Sequence, residues 1–405
     1  MKHVLRLIFC LFVYIGNVYA ESPINYDPIL VVVLMVKNEE TVMRATLQPF
    51  VDGGVTSFFI FDTGSTDNTI QVTEDFFAEH GITQGYIAQE PFIDFATSRN
   101  RALDFAQEKF PHAAFMVMID AEWYINDARA LVDYCQLCLD RGEEYNSYLM
   151  YMANLGNYTC RLLRCNRGVR FYGVVHEVII QSIAVKVPDT IYFDYLPESY
   201  GVEKTAARFV RDRELLFKEH QDKPWCTRTL FYLARTCEDL GDWQEAYRFY
   251  KMRVNMVGWD EEDFIAKYRL AQTIKKLVLR SEYSDDYDWS EALDYYMQAY
   301  AMRPHRAEPL VEIADYYIAK NQMTLAFLFA RRAVEIAYPV NDVLFVENYL
   351  YNYYRYEALA RCAWYINEFE VGEVAARKAY EARPDYIYAQ INMDCYVSRA
   401  NQIIA

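Results

Sequence analysis

The chain has 405 residues, 53% of them hydrophobic, and a formal net charge of −16. That length suits two folded domains better than one core, and the even spread of aliphatic and aromatic residues argues against long disordered stretches. An acidic chain without a Lys/Arg-rich run is a poor match for nucleic acid or anionic lipid.

At the N-terminus, Lys2 and Arg6 flank the apolar run Leu7 to Ile15, which is too short to span a bilayer. Val18-Tyr19-Ala20 has the small-residue form of a cleavage site. Residues 1–20 therefore read as a removed signal peptide, with an uncleaved anchor as the alternative. This address implies the secretory pathway, the periplasm or the extracellular space. No later segment is long and apolar enough for a stable membrane span.

Residues 21–200 read as βαβ units. Ile29 to Val36 is a continuous apolar run, as in a strand buried on both faces. A helix is expected over Glu39 to Val51, with carboxylates in its first turn. A strand over Ser57 to Phe61 follows, then a helix over Asp67 to His80 that stops at Gly81. A strand over Tyr86 to Gln89, a helix over Ala96 to Phe110 and a buried strand over Ala114 to Ile119 complete the pattern. Strand-like pieces recur at Tyr148 to Ala153, Arg161 to Cys165 and Val174 to Ile180. Such alternation predicts a mostly parallel sheet with helices on both faces and ligands beyond the strands' carboxyl ends.

Nine cysteines are present, with Cys10 in the signal. Cys135 and Cys138 form a C-x-x-C inside a helical pattern, with no partner pair at zinc-finger spacing. Cys160 and Cys165 flank a strand-like run. They read as buried small hydrophobes, and one disulfide stays open as an alternative. Asn157-Tyr158-Thr159 is a glycosylation sequon.

Residues 201–405 change grammar. Only Gly201, Gly241, Gly258 and Gly372 of the 14 glycines lie here, and helical periodicity dominates. Tyr232 to Tyr250, Trp289 to Pro304, Leu325 to Pro339 and Val371 to Pro384 repeat one scheme: small residues such as Ala246, Ala292, Ala330 and Ala376, aromatics, and in three cases a closing proline. This predicts tetratricopeptide-like helix pairs stacked into a solenoid, with Arg280 to Asp288 as an insertion.

Three places can carry chemistry, each beyond a predicted strand. Asp62, in Phe61 to Thr69 (FDTGSTDNT), can accept hydrogen bonds from a nucleobase or ribose; the alternative is a turn with Thr66 or Asp67 as helix cap. Asp120 and Glu122, in Ile119-Asp120-Ala121-Glu122-Trp123, can bind a hard divalent cation that bridges phosphates. His176 and Glu177 can serve as metal ligand and general base; the alternative is a satisfied core histidine beside an edge glutamate. A G-x-G-x-x-G after the first strand, a Walker loop, a G-x-S-x-G elbow and an H-E-x-x-H are all missing.

In order, these motifs resemble glycosyltransferase family 2, the inverting enzymes of GT-A type, in the branch followed by tetratricopeptide repeats. The stretches that carry the resemblance are Val31 to Glu40, Phe61 to Thr69, Asp94 to Leu103, Met118 to Trp123 and Gly173 to Glu177. The resemblance implies an α/β GT-A domain, Rossmann-like, over residues 21–200 and an all-α solenoid over 201–405. It implies that Asn38, Glu39, Asp62, Arg99, Asn100 and Asp120 line a nucleotide-sugar pocket. It further implies that Asp120, Glu122 and His176 hold Mn²⁺ or Mg²⁺, and that Glu177 is the catalytic base. The donor is then a nucleotide sugar, a UDP-sugar by expectation, and a protein, peptide or glycan acceptor docks on the repeats. The metal would neutralise the departing diphosphate while a carboxylate deprotonates the attacking hydroxyl. Relatives read Asp-Ala-Asp-Glu-Trp where this chain reads Asp-Ala-Glu-Trp. That shortening supports a second reading, a non-catalytic helical-repeat binding module carrying a degenerate GT-A domain. A nucleotidyltransferase is a third, disfavoured by the lack of a glycine-rich, basic first loop.

Overall fold

The computed structural model describes residues 26–180, 184–195, 201–280 and 286–404. The expected signal peptide over 1–20 and the expected domain boundary near residue 200 lie outside the described residues, as does most of the expected insertion.

The first half is an α/β unit. In chain order it holds β1 (Leu30–Val36), α1 (Met43–Asp52), β2 (Ser57–Asp62), α2 (Thr69–Glu79), β3 (Gln84–Gln89), α3 (Phe95–Lys109), β4 (Phe115–Ile119), β5 (Trp123–Ile125) and α4 (Ala128–Asp140). The short strands β6 (Ser147–Met152), β7 (Asn157–Arg164), β8 (Phe171–Tyr172), β9 (Val178–Ile179), β10 (Ala184–Lys186) and β11 (Tyr192–Tyr195) follow. The main sheet runs β3-β2-β1-β4-β7-β6-β11-β5, with β10 also on β6, and β8 pairs with β9 apart from it.

The sheet is mixed, which corrects the mostly parallel expectation. β3, β2, β1 and β4 are parallel neighbours, but β7 runs antiparallel to both β4 and β6, and β5 antiparallel to β11. The physical reason lies in the connections. Long helical crossovers link the first four strands, whereas β6 and β7 are joined by a tight turn that permits only antiparallel pairing.

Both faces of the central strands are covered, as their unbroken apolar runs require. Val32, Leu34, Phe58, Ile60, Val117 and Ile119 face a core shared with α1, α2 and α4. Val31, Val33, Phe59, Phe61, Met116 and Met118 alternate to the opposite face, against Ala102, Leu103 and Ala106 of α3. Cys135 and Cys138 sit buried in α4 as small hydrophobes.

Two elements depart from expectation. The first helix begins at Met43 rather than Glu39, because Asn38 adopts a left-handed φ of 58° and the next two amides leave the helix path. Glu39 N donates to Thr69 Oγ1 at 2.7 Å and Glu40 N to Asp67 Oδ2 at 3.2 Å. The strand expected over Val174 to Ile180 shrinks to β9, because Gly173 (φ 102°) and His176 (φ 52°) turn the backbone where a strand needs negative φ.

The second half is a helical repeat array. α5 (Gly201–Asp222) leads into hairpins of α6 (Thr227–Asp239) with α7 (Trp243–Arg253) and α8 (Asp260–Leu279) with α9 (Trp289–Met302). Further hairpins pair α10 (Glu308–Ala319) with α11 (Met323–Glu335) and α12 (Arg355–Tyr365) with α13 (Phe369–Ala382), and α14 (Ile387–Ile404) packs on the last. A π-helical turn, Leu350–Tyr354, runs into α12. The alanines that mark the repeat in the sequence, Ala246, Ala292, Ala330 and Ala376, are all buried and let helices approach closely. Asp242 and Asp288 cap α7 and α9 through the amides of Glu245 and Ser290. Tyrosines fill the remaining space: Tyr250, Tyr268 and Tyr296 are fully buried, and Tyr316 stacks on Trp289 at 3.5 Å between centroids.

The halves pack together through the Gly173–Glu177 turn. Val175 joins the core of α5 to α9, and Val174 O accepts from Phe95 N at 3.1 Å. Arg228 of α6 donates to His176 O at 3.0 Å and to Glu262 of α8 at 2.5 Å.

Candidate functional site

The loop after β2 is built around Asp62. Its carboxylate is fully buried and accepts from Ser65 N (3.1 Å), Gly64 N (3.3 Å), Gln89 Nε2 (3.1 Å) and the Ser65 hydroxyl. Asn38 closes the same loop from β1: its N donates to Ser65 Oγ at 2.9 Å and its Oδ1 accepts from Thr66 N at 2.7 Å. Glu39 is tied in by its backbone amide to Thr69. The polar groups of this string thus hold its own turn, and the N-cap of α2 is Asn68, not Thr66 or Asp67.

A second cluster lies where α3, β4, β7 and the 173–177 turn meet. Arg99, with 3% side-chain exposure, sits 2.6 Å from Asp120 and 2.7 Å from Glu177. Arg161 of β7 reaches Glu177 at 3.0 Å and lies over Trp123 and Phe171. Burial alone would push the Glu177 carboxyl up; the guanidiniums of Arg99 and Arg161 outweigh it and hold the group down at about 2. Arg161 is drawn down by burial and by Arg99. Two cations and two carboxylates neutralise one another here. Nothing in the motif pattern marked Arg161, because its partner Glu177 arrives only when the turn folds back on the strand.

The remaining expected residues border the second cluster. Asn100 brackets Phe171 with both backbone groups, its Nδ2 donating to the carbonyl and its Oδ1 accepting from the amide, each at 2.9 Å. Glu122 hydrogen-bonds the Tyr195 hydroxyl. His176 stacks on Tyr232 of α6 with ring centroids 4.1 Å apart. Burial, aided by Arg235, lowers its pKa to about 4, which keeps it neutral against the array.

The expected Mn²⁺ or Mg²⁺ ligands Asp120, Glu122 and His176 are not brought together as one group. Asp120 is engaged by Arg99 and His176 stacks in the seam between the halves. Among the described residues, no group of three or more His, Cys, Asp and Glu side chains is placed to hold a metal ion.

The other candidate surface is the face of the array formed by the first helix of each hairpin, α6, α8, α10 and α12. Charged and polar side chains link one helix to the next along it. Arg269 meets Glu238 at 3.3 Å, Gln272 meets Glu312 at 3.1 Å, and Lys275 holds both Glu312 (2.9 Å) and Asp315 (2.7 Å). Tyr354 continues the series onto Asp315. Among the described residues, no helix is long and apolar enough to cross a membrane.

No known family matches the chain, and no curated protein matches it. Solved structures similar to it are tetratricopeptide-repeat proteins. The C-terminal part of a TPR repeat-containing protein from Cytophaga hutchinsonii is 13% identical over 48% of this chain and 66% of its own, with a TM-score of 0.37. MamA is 16% identical over 47% and 96%, with a TM-score of 0.34. YrrB, a TPR protein with an unusual peptide-binding site, is 12% identical over 47% and 86%, with a TM-score of 0.33. The expected membership of glycosyltransferase family 2, and with it the expected inverting transferase activity, finds no support in any family or curated match and is withdrawn. Glu177 sits between two guanidiniums as an ion-pair partner.

Proposed function

We propose that this protein is a non-catalytic binding module whose helical array takes a protein or peptide partner. The observation that carries the reading is the row of charged and polar side chains along the first helices of the hairpins. At the rim of the sheet the carboxylates are paired internally: Asp62 by its own loop, Asp120 by Arg99, and Glu177 by Arg99 and Arg161. Along the array, charged and polar side chains pair from α6 through α8 to α10. An extended peptide supplies complementary main-chain groups to such a face. In this reading the α/β half is a degenerate GT-A domain, which keeps the strand-end loops and serves as a scaffold for the array.

Panning a phage-displayed peptide library on the full chain tests the reading. Binders are expected whose hydrogen-exchange footprint falls on α6, α8, α10 and α12. A footprint on the sheet's rim, or no enrichment, would overturn it. The export signal over residues 1–20 belongs to the same proposal, and N-terminal sequencing of the mature chain is expected to begin at Glu21.

A further inference from the structure

The connection between α11 and α12 does not loop out into solvent. It folds back two hairpins along the array and lies against α6 and the starts of α8 and α10. The array grips its main chain on both edges. Glu261 Oε2 accepts from the consecutive amides of Val343 (2.9 Å) and Leu344 (2.7 Å). Arg306, fully buried and anchored by Glu308 at 2.7 Å, donates to the consecutive carbonyls of Leu344 (3.3 Å) and Phe345 (3.2 Å).

Three side chains of the segment are anchored as well. Asp342 pairs with Arg303 at 2.8 Å and with Arg306 at 3.2 Å. The Phe345 ring lies 3.7 Å beneath the Arg235 guanidinium. Glu347 accepts from the Tyr268 hydroxyl at 3.0 Å and sits 3.8 Å from Arg269. The cations thus come from the array and the anions from the segment. Phe345 itself holds a φ of 47°, a region that disfavours a residue with a bulky side chain, so the surrounding grip determines its backbone.

Bonds from array side chains to consecutive backbone groups do not depend on the bound sequence, and a peptide that follows the same bent course offers the same groups. The anchors add selectivity: an acidic residue, an aliphatic-aromatic pair under a guanidinium, and a second acidic residue two positions after the aromatic. We propose that Asp342 to Glu347 is an internal stand-in for the partner. The partner then presents a peptide of the same acidic, aliphatic-aromatic, acidic chemistry in the same bent course and displaces the segment. This rests on the reading of the array as a peptide-binding surface, and it adds what that surface selects and what occupies it beforehand.

The probe is a fluorescein-labelled peptide, Asn-Asp-Val-Leu-Phe-Val-Glu-Asn, which copies residues 341–348. Its anisotropy is read against the full chain as wild type and as Phe345→Ala, with circular dichroism melts to establish folding. At least tenfold tighter binding to Phe345→Ala is expected, abolished when the peptide's Phe is replaced by Ala or when Arg235→Ala is added to the chain. Glu347→Gln, which keeps shape and loosens the same segment, replaces Phe345→Ala if that variant does not fold, with the same ordering expected. Equal or absent binding to a folded, loosened chain overturns the inference. If phage-selected peptides still bind the array in that case, only the stand-in falls. If they do not bind either, the peptide-binding reading falls with it.

Discussion

Glu177 shows how a residue with catalytic chemistry becomes a structural one. Its carboxylate is buried between Arg99 and Arg161, and each guanidinium depends on it to remain charged out of water. Removing one partner of such a cluster leaves an uncompensated buried charge. Arg161→Ala is therefore expected to lower unfolding free energy by about 3–5 kcal/mol, read by urea titration. The pH dependence has a definite sign. The folded-state pKa of Glu177 lies at about 2, below the ordinary glutamate value of 4.5. Its contribution is present above pH 4.5 and lost as pH falls towards 2, because the unfolded chain takes up the proton first. His176 adds an earlier step: with a folded pKa near 4 against 6.5, it costs stability as pH falls through that interval. His176→Asn, which tolerates the left-handed backbone there, is expected to flatten urea midpoints between pH 6.5 and 4. With the rim carboxylates paired in this way, UDP- and GDP-sugars with Mn²⁺ are expected to leave the melting temperature unchanged, and metal-dependent turnover in the same preparation would contradict the assignment. The polar residues of the site were legible in the sequence as types at strand ends. Their partners were not: Ser65 and Gln89 on Asp62, or Arg161 on Glu177, meet only through tertiary folding.

Elements were more legible than residues wherever hydrophobicity alone decides them. The unbroken apolar runs of β1, β2 and β4 marked strands buried on both faces, and the alanine-and-proline spacing marked the hairpins of the array. Periodicity failed where single backbone angles decide, as at His176, whose positive φ ends a run that looks β-like from Val174 to Ile180. It also missed β5 and β11, whose three and four residues are too short to show alternation. Gly372 in α13 carries a prediction at this scale. A Cβ there would fall 1.9 Å from the Tyr396 hydroxyl, which is buried and donates to Ala360 O at 2.6 Å. Gly372→Ala must therefore displace the tyrosine that docks α14, at a cost of about 1–3 kcal/mol. Faster amide exchange across α14, with α6 to α9 unaffected, is the expected readout.

The two halves behave as one body through a small set of contacts. Arg228 spans the seam, holding His176 O from one half and Glu262 within the other. Glu262 is almost wholly buried and its other guanidinium neighbour, Arg253, stands at 3.8 Å. Arg228→Ala is expected to cost about 1–3 kcal/mol and to separate a single thermal transition into two in calorimetry. Stacked hairpins ordinarily behave as a chain of near-identical links, whose stability is a sum of unit and nearest-neighbour contributions. The fold-back of residues 342–347 breaks that rule. It fastens the connection ahead of α12 to α6 and α8, so hairpins that are not neighbours along the array share one tether. Deleting the α6–α7 hairpin would therefore weaken the far end of the array as well as the near one. A ladder built this way cannot be shortened a rung at a time.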